Sequence, residues 1–212
     1  MNPKITLATF LFALILFSCN NKNSFTDYKY TVQPTLINCD GLNSKLYNEA
    51  LYSFENDMIN YYRRARPNTT LFQAYSQYLR SALYSTVKYE DIISKHTLDV
   101  FEALKNETDL WDTNNPKSNL NYNSSAVSCI SKNIQDKDLK TTFNALLTTN
   151  SMSPKLFGAP LSAKLRDTQN DKYLALYTAL DLFYANLFGI DFSAVDLNKP
   201  IQNVDFNNLP KP

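Results

Sequence analysis

The chain has few of the residues that catalytic and phosphate-binding sites most often use. It contains three glycines, one histidine and one tryptophan in 212 residues. So few glycines argue against a glycine-rich phosphate-binding loop and against a β fold with many tight turns. Any catalytic triad that requires a histidine would have to use His96, because no other histidine exists.

An excess of charge of either sign is also missing. The chain carries 21 lysine and arginine residues against 20 aspartate and glutamate residues. There is no basic field to hold nucleic acid and no polybasic stripe to hold anionic lipid. We therefore expect no nucleic-acid partner.

A long apolar run is missing too, since the longest, Ile5 to Phe17, covers only thirteen residues. A helix that spans a bilayer needs roughly 20. Thirteen is typical of a signal-peptide core, and Lys4 supplies the positive flank. The run ends as LFALILFSCNNKNS, with the small Ser18 directly before Cys19.

This ending resembles the lipobox of bacterial lipoproteins, although Phe17 is bulkier than the residue usual at that place. The resemblance implies that residues 1–18 are removed, that Cys19 receives a diacylglycerol on its sulfur, and that the new amino terminus is acylated. The alternative is an ordinary secretory signal in which Cys19 occurs by chance. Several acyl chains would anchor the protein stably, since each buried methylene contributes about 0.8 kcal/mol.

The residues after Cys19 indicate on which face of the outer membrane the protein is anchored. Asn20 to Ser24 carry Lys22 and no acid. Lipoproteins exported to the surface of Bacteroidota often have an acidic cluster there, so its absence favours the periplasmic face of the outer membrane. We expect a membrane contact through the N-terminal lipid and possible protein partners in the envelope.

The three cysteines divide into one anchor and one pair. If Cys19 carries lipid, Cys39 and Cys129 remain as an even pair in an oxidising compartment. We predict a disulfide between them, with two separate buried thiols as the alternative. A loop of about 90 residues would be worth roughly 4–5 kcal/mol in the chain-entropy model.

Apolar residues recur at helical spacing through most of the chain. The predicted helices cover about 42–66, 69–86, 89–104, 126–133, 136–148, a short stretch opened by Ser153 and Pro154, and 171–188. In the first helix the pattern places Glu49 and Asn56 on the side away from the core. The last helix is apolar nearly all round and should be central.

The predicted fold class is all-α. We expect one bundle of five to seven helices around the hydrophobic last helix, with a short extended N-terminal segment near 28–32 and an irregular C-terminal tail. The predicted division is a signal peptide (1–18), a lipid-anchored tether and extended segment (19–38), a helical domain (39–189) and a proline-containing tail (190–212).

Three residues are candidates for contact with a ligand or partner. His96 lies on an apolar helix face, where a satisfied, partly buried histidine is the alternative to a catalytic or metal role. Asp181 lies inside the most apolar helix. It is either an acid in a pocket or part of a structural polar cluster with Tyr177, Tyr184 and an arginine from the first two helices. Trp111, in the long polar loop 106–125, either contacts a partner or folds back as a plug.

No motif predicts a catalytic residue, a metal site or a cofactor. Asp167 to Asp171 begins like an EF-hand loop but has lysine where that loop needs glycine. The tyrosines of the first two helices (47, 52, 61, 62, 75, 78 and 84) could line a groove for a sugar or peptide, or could simply pack in the core.

Four stretches resemble a lipoprotein family of flavobacteria-like Bacteroidota. They are EALYSFENDMINYY (49–62), YEDIISKHTLDVFEALKN (89–106), LKTTFNALLTTNSMSPKLFGAPL (139–161) and YLALYTALDLFYA (173–185). The resemblance implies a location and no particular activity.

Two hypotheses about function follow. The first is a non-enzymatic accessory or scaffold subunit that contacts partners through the Trp111 loop or the C-terminal tail. The second is a binding lipoprotein with a tyrosine-lined pocket for a sugar, peptide or lipid. A deep pocket beside Asp181 and His96 would favour the second, whereas a filled core with an exposed apolar patch would favour the first. An enzyme is the third possibility.

We predict that the mature protein, unfolded without reductant, contains no titratable thiol. Cys19 is held in a thioether, and Cys39 and Cys129 are held in a disulfide. A thiol titration before and after reduction measures this directly. Two free thiols before reduction would contradict the prediction.

Overall fold

The computed structural model describes residues 25–198 and 201–207, and this part of the chain is all-helical. The predicted fold class is confirmed. Nine α-helices are present in the described residues, with no strand. They are α1 (Ser44–Arg63), α2 (Leu71–Leu83), α3 (Tyr89–Ile92), α4 (Lys95–Leu104), α5 (Ser125–Asn133), α6 (Lys137–Thr148), α7 (Pro154–Ala163), α8 (Leu165–Asn170) and α9 (Lys172–Tyr177). The predicted signal peptide 1–18 and the lipid site Cys19 lie outside the described residues.

Helix α1 begins at an asparagine cap and is buried on every side. The Asn43 side chain accepts a hydrogen bond from the Leu46 amide at 3.2 Å. Every residue from Leu46 to Ile59 is buried. The expectation that Glu49 and Asn56 face away from the core is wrong, because irregular segments of the chain cover that side of the helix.

The segment predicted as one helix over 89–104 is two helices, which raises the number of helices. Ile93 is extended and ends α3, and Ser94 caps α4 by accepting a hydrogen bond from the Thr97 amide. The Ser94 amide itself donates to Asp57 Oδ2 of α1 at 2.7 Å. A buried carboxylate on α1 therefore fixes the break between α3 and α4.

The hydrophobic last helix is central, as predicted, but its geometry changes along its length. Asp171 caps α9, which ends at Tyr177; a π-helical segment (Thr178–Phe183) and a 3-10 segment (Tyr184–Gly189) follow. All residues of the π segment are buried. The Leu182 carbonyl accepts hydrogen bonds from the hydroxyls of Tyr78 (2.7 Å) and Tyr89 (3.1 Å), so tyrosines supply partners that a regular helix would not need.

The predicted disulfide between Cys39 and Cys129 is confirmed, with the two Cα atoms 6.0 Å apart. It joins the segment before α1 to helix α5 across 90 positions of sequence. The segment before α1 is therefore covalently tied to the second half of the chain.

The first and the last described segments of the chain both lie against α1. Residues 28–32, expected to be extended, form bends and turns, and the Lys29 amide donates to Glu49 Oε1 at 2.7 Å. In the tail, the Val204 amide donates to Asn56 Oδ1 at 2.9 Å. Asn60 makes two hydrogen bonds to the backbone of Gln202, at 2.8 and 3.1 Å. The tail over 201–207 therefore wraps the bundle.

In the part of the chain that the structure describes, no helix is both long and apolar enough to cross a bilayer.

We expect Asn56→Ala and Asn60→Ala each to loosen the tail. Each substitution removes side-chain partners of a tail amide, and a hydrogen bond of this kind is worth about 1 kcal/mol, or roughly a fivefold change in local opening. Hydrogen exchange of the peptide that covers 201–207 should speed up accordingly. Asn133→Ala, at an exposed position of α5, serves as the control, and equal exchange in all variants would contradict the expectation.

Candidate functional site

His96 is held by a carboxylate inside the bundle. Its Nε2 lies 2.7 Å from Glu49 Oε1 and its Nδ1 lies 3.4 Å from Asp27 Oδ2. The side chain is only 6% exposed. Glu49 also accepts the amide of Tyr30 at 3.2 Å. Helix α4 thus presents His96 to α1, where the imidazole helps to fix the N-terminal segment. The Nε2 contact favours a buried, structural histidine, whereas Nδ1 has no hydrogen-bond partner among the described residues.

Asp57 is a second buried acid on α1 and has a comparable structural role. Burial raises its pKa to about 6, although hydrogen bonds from Thr97 and Ser94 act in the opposite direction. Its partner at 2.7 Å is the Ser94 amide described above. The carboxylate therefore holds the start of α4.

Asp181, fully buried in the π segment, accepts hydrogen bonds from three hydroxyl groups. Tyr177 donates at 2.6 Å, Ser118 at 2.5 Å and Tyr122 at 3.1 Å. Burial raises the pKa of Asp181 to about 6, and these hydrogen bonds partly oppose that rise. Two of the three donors come from the long loop, so the acid fastens that loop to the centre of the bundle.

The expected partners of Asp181 are only partly correct. Tyr177 is confirmed, but Tyr184 donates instead to the Ala50 carbonyl at 3.0 Å. Within the described residues no arginine reaches Asp181; Ser118 and Tyr122 take that place. The sequence could not supply these two partners because loop 106–125 has no periodicity that fixes which side chains point inward.

Trp111 folds back onto the bundle. Its indole Nε1 donates to the Leu104 carbonyl at 2.8 Å, at the end of α4. Its ring lies 5.1 Å from that of Phe188 and 6.4 Å from that of Phe101. A single antiparallel bridge to Leu120 closes the loop behind it. Of the two alternatives, this geometry favours the plug.

The tyrosines of the first two helices are mostly core residues. Tyr47, Tyr52, Tyr75 and Tyr78 are buried. Tyr84 is the exception, since it is 76% exposed directly after α2. The next residue, Ser85, has a left-handed φ of 54°, which ends the helix abruptly. This turn leaves the Tyr84 ring on the surface.

A groove lies beside Tyr84, where α2 crosses α7. The helices approach closely at Gly158, since a Cβ on that residue would lie 2.0 Å from Leu83 Cδ2. A depression of about 540 Å³ opens next to this contact. It is lined by Ser76, Leu79, Arg80, Leu83, Tyr84, Lys155, Ala159, Ser162 and Leu165.

A second depression, of about 760 Å³, adjoins the first and shares Leu83, Tyr84 and Lys155 with it. It continues past the start of α7 toward Lys117 of the long loop. We call the two depressions together the Tyr84 groove.

The charge of the Tyr84 groove is one-sided. Arg80, Lys117 and Lys155 line it, and its lining contains no aspartate or glutamate. Neither Arg80 nor Lys155 forms an ion pair with a carboxylate of the described residues. The groove therefore combines an apolar floor with positive charge that is available to a partner.

His96 and Asp181 do not line the Tyr84 groove, and sequence reasoning did not find it. Its residues come from α2, α7, α8, the long loop and the last helical segments, which are far apart in sequence. The available signals were weak: the apolar stripe of α2 continues to Leu83, and α7 carries Gly158 at the crossing. In the described part of the chain, no three histidine, cysteine, aspartate or glutamate side chains are grouped as a metal would require.

Comparison with known proteins identified no matching family model, no similar curated protein and no similar solved structure.

We expect Asp181→Asn to reduce the pH dependence of stability. The folded pKa of Asp181, about 6, lies above the ordinary value of 3.8. The contribution of Asp181 to the free energy of unfolding is therefore fully present below about pH 4 and is lost as the pH rises through 6. Between pH 5 and pH 8 this loss amounts to about 1 kcal/mol.

Denaturant unfolding at both pH values measures the loss. In Asp181→Asn the difference between pH 5 and pH 8 should shrink by that amount, whereas the exposed control Asp40→Asn should match the wild type. An unchanged difference in Asp181→Asn would show that Asp181 does not titrate in this range.

Proposed function

We propose that this chain is a lipid-anchored envelope lipoprotein that acts as a non-enzymatic accessory subunit and binds a partner through the Tyr84 groove. The anchor is Cys19, and the location is the periplasmic face of the outer membrane. The N-terminal sequence supports the anchor, and the fold provides the binding surface.

The address is supported by the N-terminal sequence. A charged start, a thirteen-residue apolar core and a small residue before Cys19 follow the order of a lipoprotein signal. The disulfide between Cys39 and Cys129 is compatible with this, because such bonds persist in oxidising compartments.

The binding role is carried by one observation: the Tyr84 groove combines apolar side chains with uncompensated positive charge. Arg80 and Lys155 stand beside the exposed Tyr84 ring there. The conspicuous acids and the histidine are instead engaged inside the bundle, Glu49 with His96 and Asp181 with three hydroxyls. These groups hold irregular segments in place, which favours a structural role over proton transfer.

A second candidate function is the capture of a small ligand such as a sugar, peptide or lipid. One observation favours it: the first depression, about 540 Å³, has the size of a small-molecule pocket and carries one tyrosine. The other tyrosines are mostly buried, so a pocket lined by several tyrosines is not the form that this candidate would take.

We expect Cys19→Ala to abolish anchoring. Without the thiol, no diacylglycerol can be attached, so metabolic labelling with a radioactive fatty acid should mark the wild type and not the variant. Fractionation should place the wild type in the outer membrane and the variant in the soluble periplasmic fraction or uncleaved in the inner membrane.

Cys39→Ala is the matched control, because it removes a cysteine that is placed in the disulfide and should leave labelling intact. Equal labelling of the wild type and Cys19→Ala would exclude the proposed anchor.

A further inference from the structure

We propose that the Tyr84 groove binds an acidic, amphipathic segment of an envelope protein, with apolar side chains on its floor and carboxylates against Arg80, Lys155 and Lys117. This inference rests on the proposed binding function and deepens it by specifying the chemistry of the partner.

The apolar floor of the groove favours a partner that presents apolar side chains to it. Leu83 and Leu165 in the first depression and Val87 in the second are partly exposed, whereas Leu79 and Leu182, which also line the groove, are buried. Tyr84 stands between the depressions with most of its ring in water. A partner that covers Tyr84 would remove a large aromatic surface from solvent, which is the usual source of binding free energy at interfaces.

The charges of the groove select an acidic partner. Arg80 and Lys155 flank the first depression, and Lys117 borders the second. A guanidinium and two ammonium groups without a facing carboxylate would repel a basic segment and attract an acidic one. The lysine at 117 already donates to the Asn150 carbonyl, which holds it at the rim.

The shape of the groove favours a protein segment over a lipid chain. The groove consists of two adjoining open depressions rather than one enclosed cavity, so an acyl chain would remain largely in water. Its rim carries Ser76, Ser162 and Asn186, which can bond to polar groups of a peptide.

The length of the groove fits about two turns of a helix. The part of α2 that lines it runs from Ser76 to Leu83, which corresponds to about 10 Å of helix. An amphipathic helix laid along it would present side chains at i, i+3 or i+4, and i+7 to the floor.

The test uses the full-length protein, lipidated and purified in a non-ionic detergent, with three synthetic peptides. The first is a helical peptide with leucine at every third or fourth position and glutamate between. The second has lysine in place of each glutamate, and the third has serine in place of each leucine. Fluorescence anisotropy of the labelled peptides gives each Kd.

We expect the glutamate–leucine peptide to bind saturably, about tenfold or more tightly than either of the others, with affinity that weakens at high salt. The double variant Arg80→Glu/Lys155→Glu should lose about tenfold in affinity for it. Both side chains are exposed, so the fold should be preserved, and a thermal melt checks this.

Lys137→Glu/Arg166→Glu is the matched control. It makes the same change in net charge at exposed positions that line neither depression. Its affinity should equal that of the wild type.

Three outcomes would overturn the inference: no binding of the glutamate–leucine peptide, equal binding of the lysine peptide, or equal loss in the control variant. A fourth would be binding to phosphatidylglycerol vesicles that disappears in Arg80→Glu/Lys155→Glu, since that would assign the groove to a membrane surface.

Incorporation of a photo-crosslinking amino acid at position 84 extends the test to native membranes. Crosslinks there should disappear in the Arg80→Glu/Lys155→Glu background, whereas Val32, an exposed apolar residue outside the groove, is the control position. The lipid-labelling experiment on Cys19 is independent of the groove. An anchored protein with an inert groove would therefore leave the location standing and remove only the partner.

Discussion

Helix α1 is buried on every side, although many of its residues are polar. Three of these side chains serve segments that have no regular structure of their own: Asn48 pairs with the backbone of Ile37, Glu49 with the amides of Lys29 and Tyr30, and Asn56 with the amide of Val204. A buried polar group is tolerated only when it has partners. The irregular segments need the polar side chains of α1 as hydrogen-bond partners, and those side chains need the segments to cover them. Much of the bundle is arranged around these hydrogen bonds.

The same principle operates at the C-terminal centre of the molecule. Asp181 sits in the π segment and receives hydroxyls from its own helix and from the long loop. The loop carries Trp111, whose indole caps the end of α4, so a long irregular stretch becomes part of the packed structure. Burial of the acid raises its pKa to about 6, which makes the stability of this attachment decrease as the pH rises from about 4 through 6.

The buried acids have structural roles inside the bundle, so a binding role falls to residues on its surface. The acids that hold irregular segments are turned inward, while Arg80, Lys155 and Tyr84 are turned outward around a groove. That division supports the proposal of an anchored module whose activity is binding. The anchor would restrict the groove to a layer near the membrane and so raise the effective concentration of any neighbouring partner.

The sequence by itself determined the all-α class, the central position of the last helix and the pairing of Cys39 with Cys129. These follow from local periodicity and from counting cysteines, neither of which needs distant contacts. It also predicts a lipid anchor at Cys19. Only the tertiary structure decided the burial of Glu49 and Asn56, the loop partners of Asp181, the inward turn of Trp111 and the Tyr84 groove. Each of these brings together residues from segments far apart in the chain, and no local pattern specifies which irregular segment covers a polar helix face or where two helices cross.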